Sequence, residues 1–244
     1  IAILDFITKY FKTIVFLTII YFVVTPSNEN LTDVNSHANL QKIELTGPIM
    51  DVSKTLEDIQ KPKEDKNIKG VLFVVNSPGG AVAPSVELAY AIKELKEIKP
   101  VVVYASGVIA SGSYYASIWA NKIIANPGSI VGSIGVIMQG VNTEELMQKI
   151  GVSTQTVKAG KYKESGTPTR KWFDYEEKQL QAVIDDTYNM FISDVASARN
   201  LDVKNHNLFA DAKIFTSKQA KEVGLVDEVA TLSYAQDSLI KLAK

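Results

Sequence analysis

The chain of 244 residues contains no cysteine. This excludes a thiolate nucleophile, a thiolate metal site and a disulfide framework. Histidine is nearly as scarce, with His37 in the polar stretch NSHAN and His206 in the loop-like DVKNHN. A lone histidine in such a setting is more often a surface group than a catalytic base. Neither sign of charge is in excess: 26 Lys and Arg face 27 Asp and Glu, a net charge of −1. Nothing electrostatic therefore points to nucleic acid as a partner. Two tryptophans stand against ten tyrosines and nine phenylalanines, a balance that suits packing and pocket lining more than base stacking. No glycine turn is followed by GKS or GKT, so there is no phosphate loop. Internal repeats and low-complexity tracts are also lacking, and nothing calls for a metal or cofactor.

A long apolar run occurs once. Thr13 to Val24 is uninterrupted, with Lys9 and Lys12 on its N-terminal side. A bilayer span needs about 20 residues, a length that Phe6 to Thr25 reaches if the lysines snorkel to the headgroups. Residues 1–25 are expected to form a membrane anchor with the N-terminus inside. A cleaved signal peptide is the competing reading, but no small-x-small site follows Val24. Residues 26–41, PSNENLTDVNSHANLQ, read as a polar stalk, and residues 42–244 as one globular domain.

Within that domain the pattern is α/β. KIELTG from Lys42 is a strand candidate, and Val52 to Lys61 has helical spacing. GVLFVV (Gly70 to Val75) and VVVYAS (Val101 to Ser106) are continuous apolar runs of the kind buried parallel strands show. Ser85 to Ile98 is helical between them, and KIIAN (122–126) and GVIM (135–138) are further strand candidates. Between Tyr175 and Asn200, Leu180, Val183, Ile184, Tyr188, Phe191 and Val195 recur at three- and four-residue steps. The expected architecture is a mostly parallel sheet flanked by helices.

Two glycine-bearing turns follow the two best strands. In NSPGG (76–80), adjacent glycines let a ligand approach the backbone, and the exposed amides can hold an oxyanion. An ordinary β–α turn fits the same residues. In ASGSYY (110–115), Ser111 stands where a helix begins. It is either a helix cap or a nucleophile whose following amide, that of Gly112, is an oxyanion donor. It is no GxSxG serine, since Ile109 stands two before it. With histidine so scarce, the alternative base is a lysine able to lose its proton on burial. The strand-like VSTQTV leads into KYKESGTPTR, where Lys161 and Lys163 are both candidates. Alternation sends both to the same side, so spacing does not choose between them.

NSPGG, ASGSYY and KYKESGTPTR in this order resemble the signal peptide peptidase A (protease IV) family, as does the closing IFTSKQAKEVGLVDEVA. The resemblance runs from about Lys42 to Ala230, and the short length is similar to the one-domain members. It implies a ClpP/crotonase-like fold and a membrane-bound serine endopeptidase with a Ser–Lys dyad. By residue, it implies Ser111 as nucleophile, Lys163 as base, Ser133 of GSIG orienting the lysine, and Gly80 and Gly112 as the oxyanion hole. Glu164 stands where aspartate is commoner, and Ser113 where glycine is usual. The implied substrates are cleaved signal peptides and other hydrophobic or unfolded peptides. The implied setting is a homo-oligomer at the bacterial inner membrane, catalytic domain outside the cytoplasm, with sites that neighbouring subunits can complete. A non-proteolytic acyl-CoA enzyme on the same scaffold and a silent membrane scaffold are the alternatives.

Overall fold

The computed structural model describes residues 10, 11, 13, 15, 16 and 39–244. The first five are helical, and they belong to a unit separate from Asn39–Lys244. The rest of the expected anchor, and the expected stalk as far as residue 38, lie outside the described residues. Leu40 and Gln41, expected in the stalk, already belong to the first strand because they pair with the next one. Among the described residues no helix is long and apolar enough to cross a membrane.

The apolar runs form the middle of the sheet. Its strands are β1 (Leu40–Thr46), β2 (Gly70–Ser77), β3 (Val101–Ala110), β4 (Lys122–Ala125), β5 (Ile130–Gly132), β6 (Ile214–Thr216) and β7 (Glu228–Val229). The main path is β1–β2–β3–β4–β7, parallel throughout. Successive side chains of a strand point to opposite faces. Val71, Phe73 and Val75 of β2 accordingly join one core while Leu72 joins another. Both faces are covered, which is why the run is apolar without interruption.

The helices are α1 (Ser53–Glu64), α2 (Val82–Ile98), α3 (Gly112–Ser117), α4 (Glu144–Lys149), α5 (Asp174–Arg199), α6 (Ser217–Glu222) and α7 (Leu232–Leu242). Ile59 of α1, Leu88 and Ile92 of α2, Tyr114 of α3 and Val195 of α5 fill the larger core. Ala235 and Leu239 of α7 pack on Leu72, Val102, Tyr104 and Ile124 of the opposite face. Burying each of the larger aliphatic side chains contributes about 1.5–3 kcal/mol.

One irregularity aims the site. Val75 pairs with Ala105, but Ser77 pairs with Ile109, so β3 advances four residues while β2 advances two. The Asn76 side chain plugs this bulge, its Oδ1 accepting the Val108 N–H at 3.0 Å. A side chain at Gly107 would begin 2.6 Å from that oxygen. The first half of β3 therefore pairs with β4 and its last three residues with β5, which turns antiparallel to β6.

Two expected strands are not formed. GVIM carries no strand, and the pairing falls instead on Ile130–Gly132 just before it. The chain leaves the sheet at Ser133, whose φ is 50°. VSTQTV (152–157) alternates like a strand but is exposed at every residue and has no partner strand among the described residues.

Candidate active site

Ser111 sits between the end of β3 and the start of α3, with φ 53° and ψ −127°. An L-residue held in so sparsely populated a conformation costs about 1–3 kcal/mol. Its N–H donates to the Gly132 carbonyl at 2.8 Å, and its own carbonyl accepts the Tyr115 N–H at 3.0 Å. The hydroxyl makes no capping bond to α3. Ser111 is thus a cap by position only. Ala110 pairs with Gly132, so Ser133 is next in register beside Ser111. Ser133 too has a positive φ, and its N–H donates to the Lys213 carbonyl at 2.7 Å.

Gly80 and Gly112 meet Ser111 at one pocket of about 100 Å³. Among the described residues neither glycine amide has an acceptor. A side chain at Gly80 would begin 2.1 Å from the Ile49 carbonyl oxygen, and one at Gly112 would begin 2.2 Å from Ser85 Oγ. Only glycine fits either place. Val82, Val86, Ile137, Met190 and Phe191 make the pocket apolar. Tyr115 meets Phe191 edge to face at 5.0 Å and donates its hydroxyl to Asp194. Burial, then that carboxylate, pushes the phenol's pKa up, so it stays neutral. The pocket is lined by Ser111, Ser85 and two free amides, and among the described residues no charged side chain lines it. It lacks a base.

Lys163 is elsewhere in the chain. Its turn is tied to the N-terminal end of α5: Tyr162 meets Tyr175 edge-on at 5.3 Å, and Glu164 and Glu176 share Arg170. The pocket touches the same helix at Thr187, Met190 and Phe191. Eleven residues from Glu176 to Thr187 span about 16 Å of helix, well beyond the reach of a lysine side chain. Lys161 lies over the Tyr175 ring, 4.4 Å from its centroid. Lys163 is exposed, and its ammonium has no hydrogen bond or ion pair among the described residues. Of the five residues expected at the site, Ser111, Gly80 and Gly112 line the pocket, while Ser133 and Lys163 are not in its lining.

The sequence profile described as "Peptidase family S49" matches residues 93–244. The chain belongs to this family. The matched part includes Ser111, Ser133 and Lys163 but starts beyond NSPGG. A candidate protease of Methanocaldococcus jannaschii is 47% identical over 188 residues, 77% of this chain and 60% of that protein. A candidate signal peptide peptidase SppA of Enterococcus faecium is 34% identical over 232 residues, covering 89% of this chain and 67% of that one. The chain thus spans about three-fifths of the archaeal relative and two-thirds of the enterococcal one. The solved structure of a mutant membrane-bound stomatin-specific protease superposes with a TM-score of 0.56. It is 16% identical and covers 81% of this chain and 83% of its own, a likeness of fold.

Sequence reading of this S49 peptidase missed the residues that support its motifs. Asn76 plugs the bulge, Ser85 abuts Gly112, and Arg170 clamps the lysine turn. Each acts on a residue distant in sequence or by a contact that spacing does not encode. Among the described residues no group of His, Asp or Glu is arranged to hold a metal.

The clamp has a pH signature. Glu176 has a fully buried side chain and accepts from Arg170 at 2.8 and 2.9 Å and from the Phe173 N–H at 2.9 Å. The Arg170 guanidinium, against the opposing effect of burial, holds its carboxyl down to about 2, from an ordinary 4.5. A group depressed in this way stabilises the fold above its unfolded value and ceases to as pH falls through its folded value. The melting temperature should drop between pH 4.5 and about 2. Glu176→Gln should lower it at neutral pH and flatten that drop, as read by thermal melts of the two proteins at matched pH. Parallel pH profiles would mean that Glu176 is not linked to folding.

Proposed function

We propose that this S49 peptidase is a serine endopeptidase on a ClpP/crotonase-like scaffold. Ser111 would be its nucleophile and Lys163, delivered by a second copy of the chain, its base. The observation that carries this reading is a strained serine and two unpartnered amides around one apolar pocket without a base. Lys163 removes the Ser111 proton as Oγ bonds to a peptide carbonyl carbon. The resulting oxyanion accepts from the Gly80 and Gly112 amides. As the C–N bond breaks, the Lys163 ammonium returns its proton to the leaving amine. Neutral Lys163 then takes a proton from water as the water oxygen bonds to the acyl carbon, and its ammonium returns that proton to Ser111 Oγ as the ester bond breaks. Ser133, beside Ser111 in register, orients the incoming amine.

A second copy also suits the surface between residues 137 and 157. Ile137, Val141, Ile150 and Val157 are 82%, 72%, 64% and 104% exposed, and α4 buries no residue of its own. Such apolar surface is covered in a working assembly. Burial there would strip the charge from a lysine and make it a base. We further propose hydrophobic or unfolded peptides as substrates, cleaved signal peptides among them. Residues 1–25 would anchor the domain on the outer side of a bacterial inner membrane.

The test uses the full chain in detergent. Wild type should cleave casein and a signal peptide and take a fluorophosphonate label at Ser111, and Ser111→Ala should do neither. Turnover of an acyl-CoA without labelling of Ser111 would overturn the reading.

A further inference from the structure

Ser113 is wholly buried at the second residue of α3 and does not line the pocket. Its Oγ lies 2.9 Å from the Ala110 N–H nitrogen, 2.7 Å from the Ser77 carbonyl oxygen and 2.9 Å from the Ala110 carbonyl oxygen. It accepts from Ala110 and donates its one proton, the Ser77 carbonyl being the nearer acceptor. Ser77 closes β2 three residues before Gly80, and Ala110 closes β3 two residues before Gly112. One hydroxyl thus ties together the two turns that bring the two free amides. The turns already press on each other at Gly79, where a side chain would begin 2.6 Å from the Gly112 nitrogen.

We propose that Ser113 is a positioning residue for the oxyanion hole, its hydroxyl setting the separation of the Gly80 and Gly112 amides. The inference rests on the reading of Ser111 as nucleophile and of these amides as its oxyanion donors. Donors of this kind act on charge that develops in the transition state, so their misplacement lowers kcat and spares KM. Alanine at 113 removes both bonds while its methyl keeps the Cβ position, leaving too little room for a water and the Ala110 N–H and the Ser77 carbonyl buried without this partner. Glycine leaves room for a water to bridge the same two atoms. Glycine should therefore preserve activity better than alanine, the reverse of their order as helix formers.

The experiment compares full-length wild type, Ser113→Ala and Ser113→Gly on one peptide substrate and on a peptide aldehyde of the same sequence. Ser111 Oγ adds to the aldehyde carbon, its proton passing to the base, and the former carbonyl oxygen settles between the amides. Ser113→Ala is expected to lose about 10- to 100-fold in kcat with KM within about twofold, and aldehyde affinity should fall by a matching factor. Ser113→Gly should fall less, by several-fold in both. Unchanged kcat in Ser113→Ala, a lower kcat in Ser113→Gly than in Ser113→Ala, or lost kcat with aldehyde affinity retained would each overturn the inference. Should Ser113→Ala not fold, Ser113→Gly decides: a joint loss of kcat and aldehyde affinity supports the role, and wild-type values refute it. A wild type that neither cleaves peptide nor binds aldehyde would overturn the nucleophile reading, and this inference with it.

Discussion

Lys163→Ala should abolish peptide cleavage, by about 10²–10⁴-fold as for the loss of a general base, without moving the melting temperature. The side chain is exposed and its ammonium has no bonded partner among the described residues, so truncation removes no packing there. The distance along α5 makes a stronger claim available. If each site takes its serine from one copy and its lysine from the next, the two inactive variants complement each other. Co-expressed in equal amounts, Ser111→Ala and Lys163→Ala assemble at random, and about one site in four has both intact groups. Activity near a quarter of wild type is expected in the mixed preparation, against none in either variant alone. Complete silence of a verified mixed oligomer would place both groups in one copy and require the lysine turn to move. Lys161→Ala is the internal control. Its ammonium is occupied over Tyr175, and its loss should cost little.

The parts of the fold that could be read from sequence are those set by local pattern and by burial on both faces. β2 and β3 stand out because each opens on an unbroken apolar run, Gly70–Val75 and Val101–Ala105, and α5 because its apolar positions repeat with the helical period; its ends fall at Asp174 and Arg199. GVIM and VSTQTV failed for a shared reason. A strand exists through its partner, and neither segment has a partner strand among the described residues. The serine, the two glycines and their convergence were legible because each turn directly follows a buried parallel strand, and parallel neighbours bring such turns to one edge. The absence of the lysine from the pocket was not legible, since it depends on where a loop docks along a 26-residue helix. Ser113 was conspicuous as an unusual residue, but its role needed the Ser77 carbonyl, 36 positions away, to be brought beside it.

Gly112→Ala should lower kcat by about 10²–10³-fold, the usual cost of losing one oxyanion donor. Helix propensity favours the opposite outcome, since alanine gains roughly 1 kcal/mol over glycine within a helix. Geometry decides against it. The new Cβ would lie 2.2 Å from Ser85 Oγ and 3.0 Å from Ser85 Cβ. Ser85 has little room to yield, being 2% exposed on α2 with its hydroxyl bonded to the Ala81 carbonyl at 2.8 Å. What yields is the turn after Ser111, and the Gly112 amide moves with it. The clash has an identifiable source and can be relieved. Ser85→Gly removes both atoms, at about 0.5–1 kcal/mol for a glycine inside a helix. The double variant should recover to within about tenfold of wild-type kcat while melting lower, a coupling of the kind expected between residues in contact. Recovery stays incomplete because the Cβ would still stand 3.4 Å from the Gly80 nitrogen, crowding the space an oxyanion must enter. A single variant with normal kcat would remove Gly112 from the oxyanion hole. A double variant no better than the single would mean that the displaced amide is held out of place by something other than Ser85.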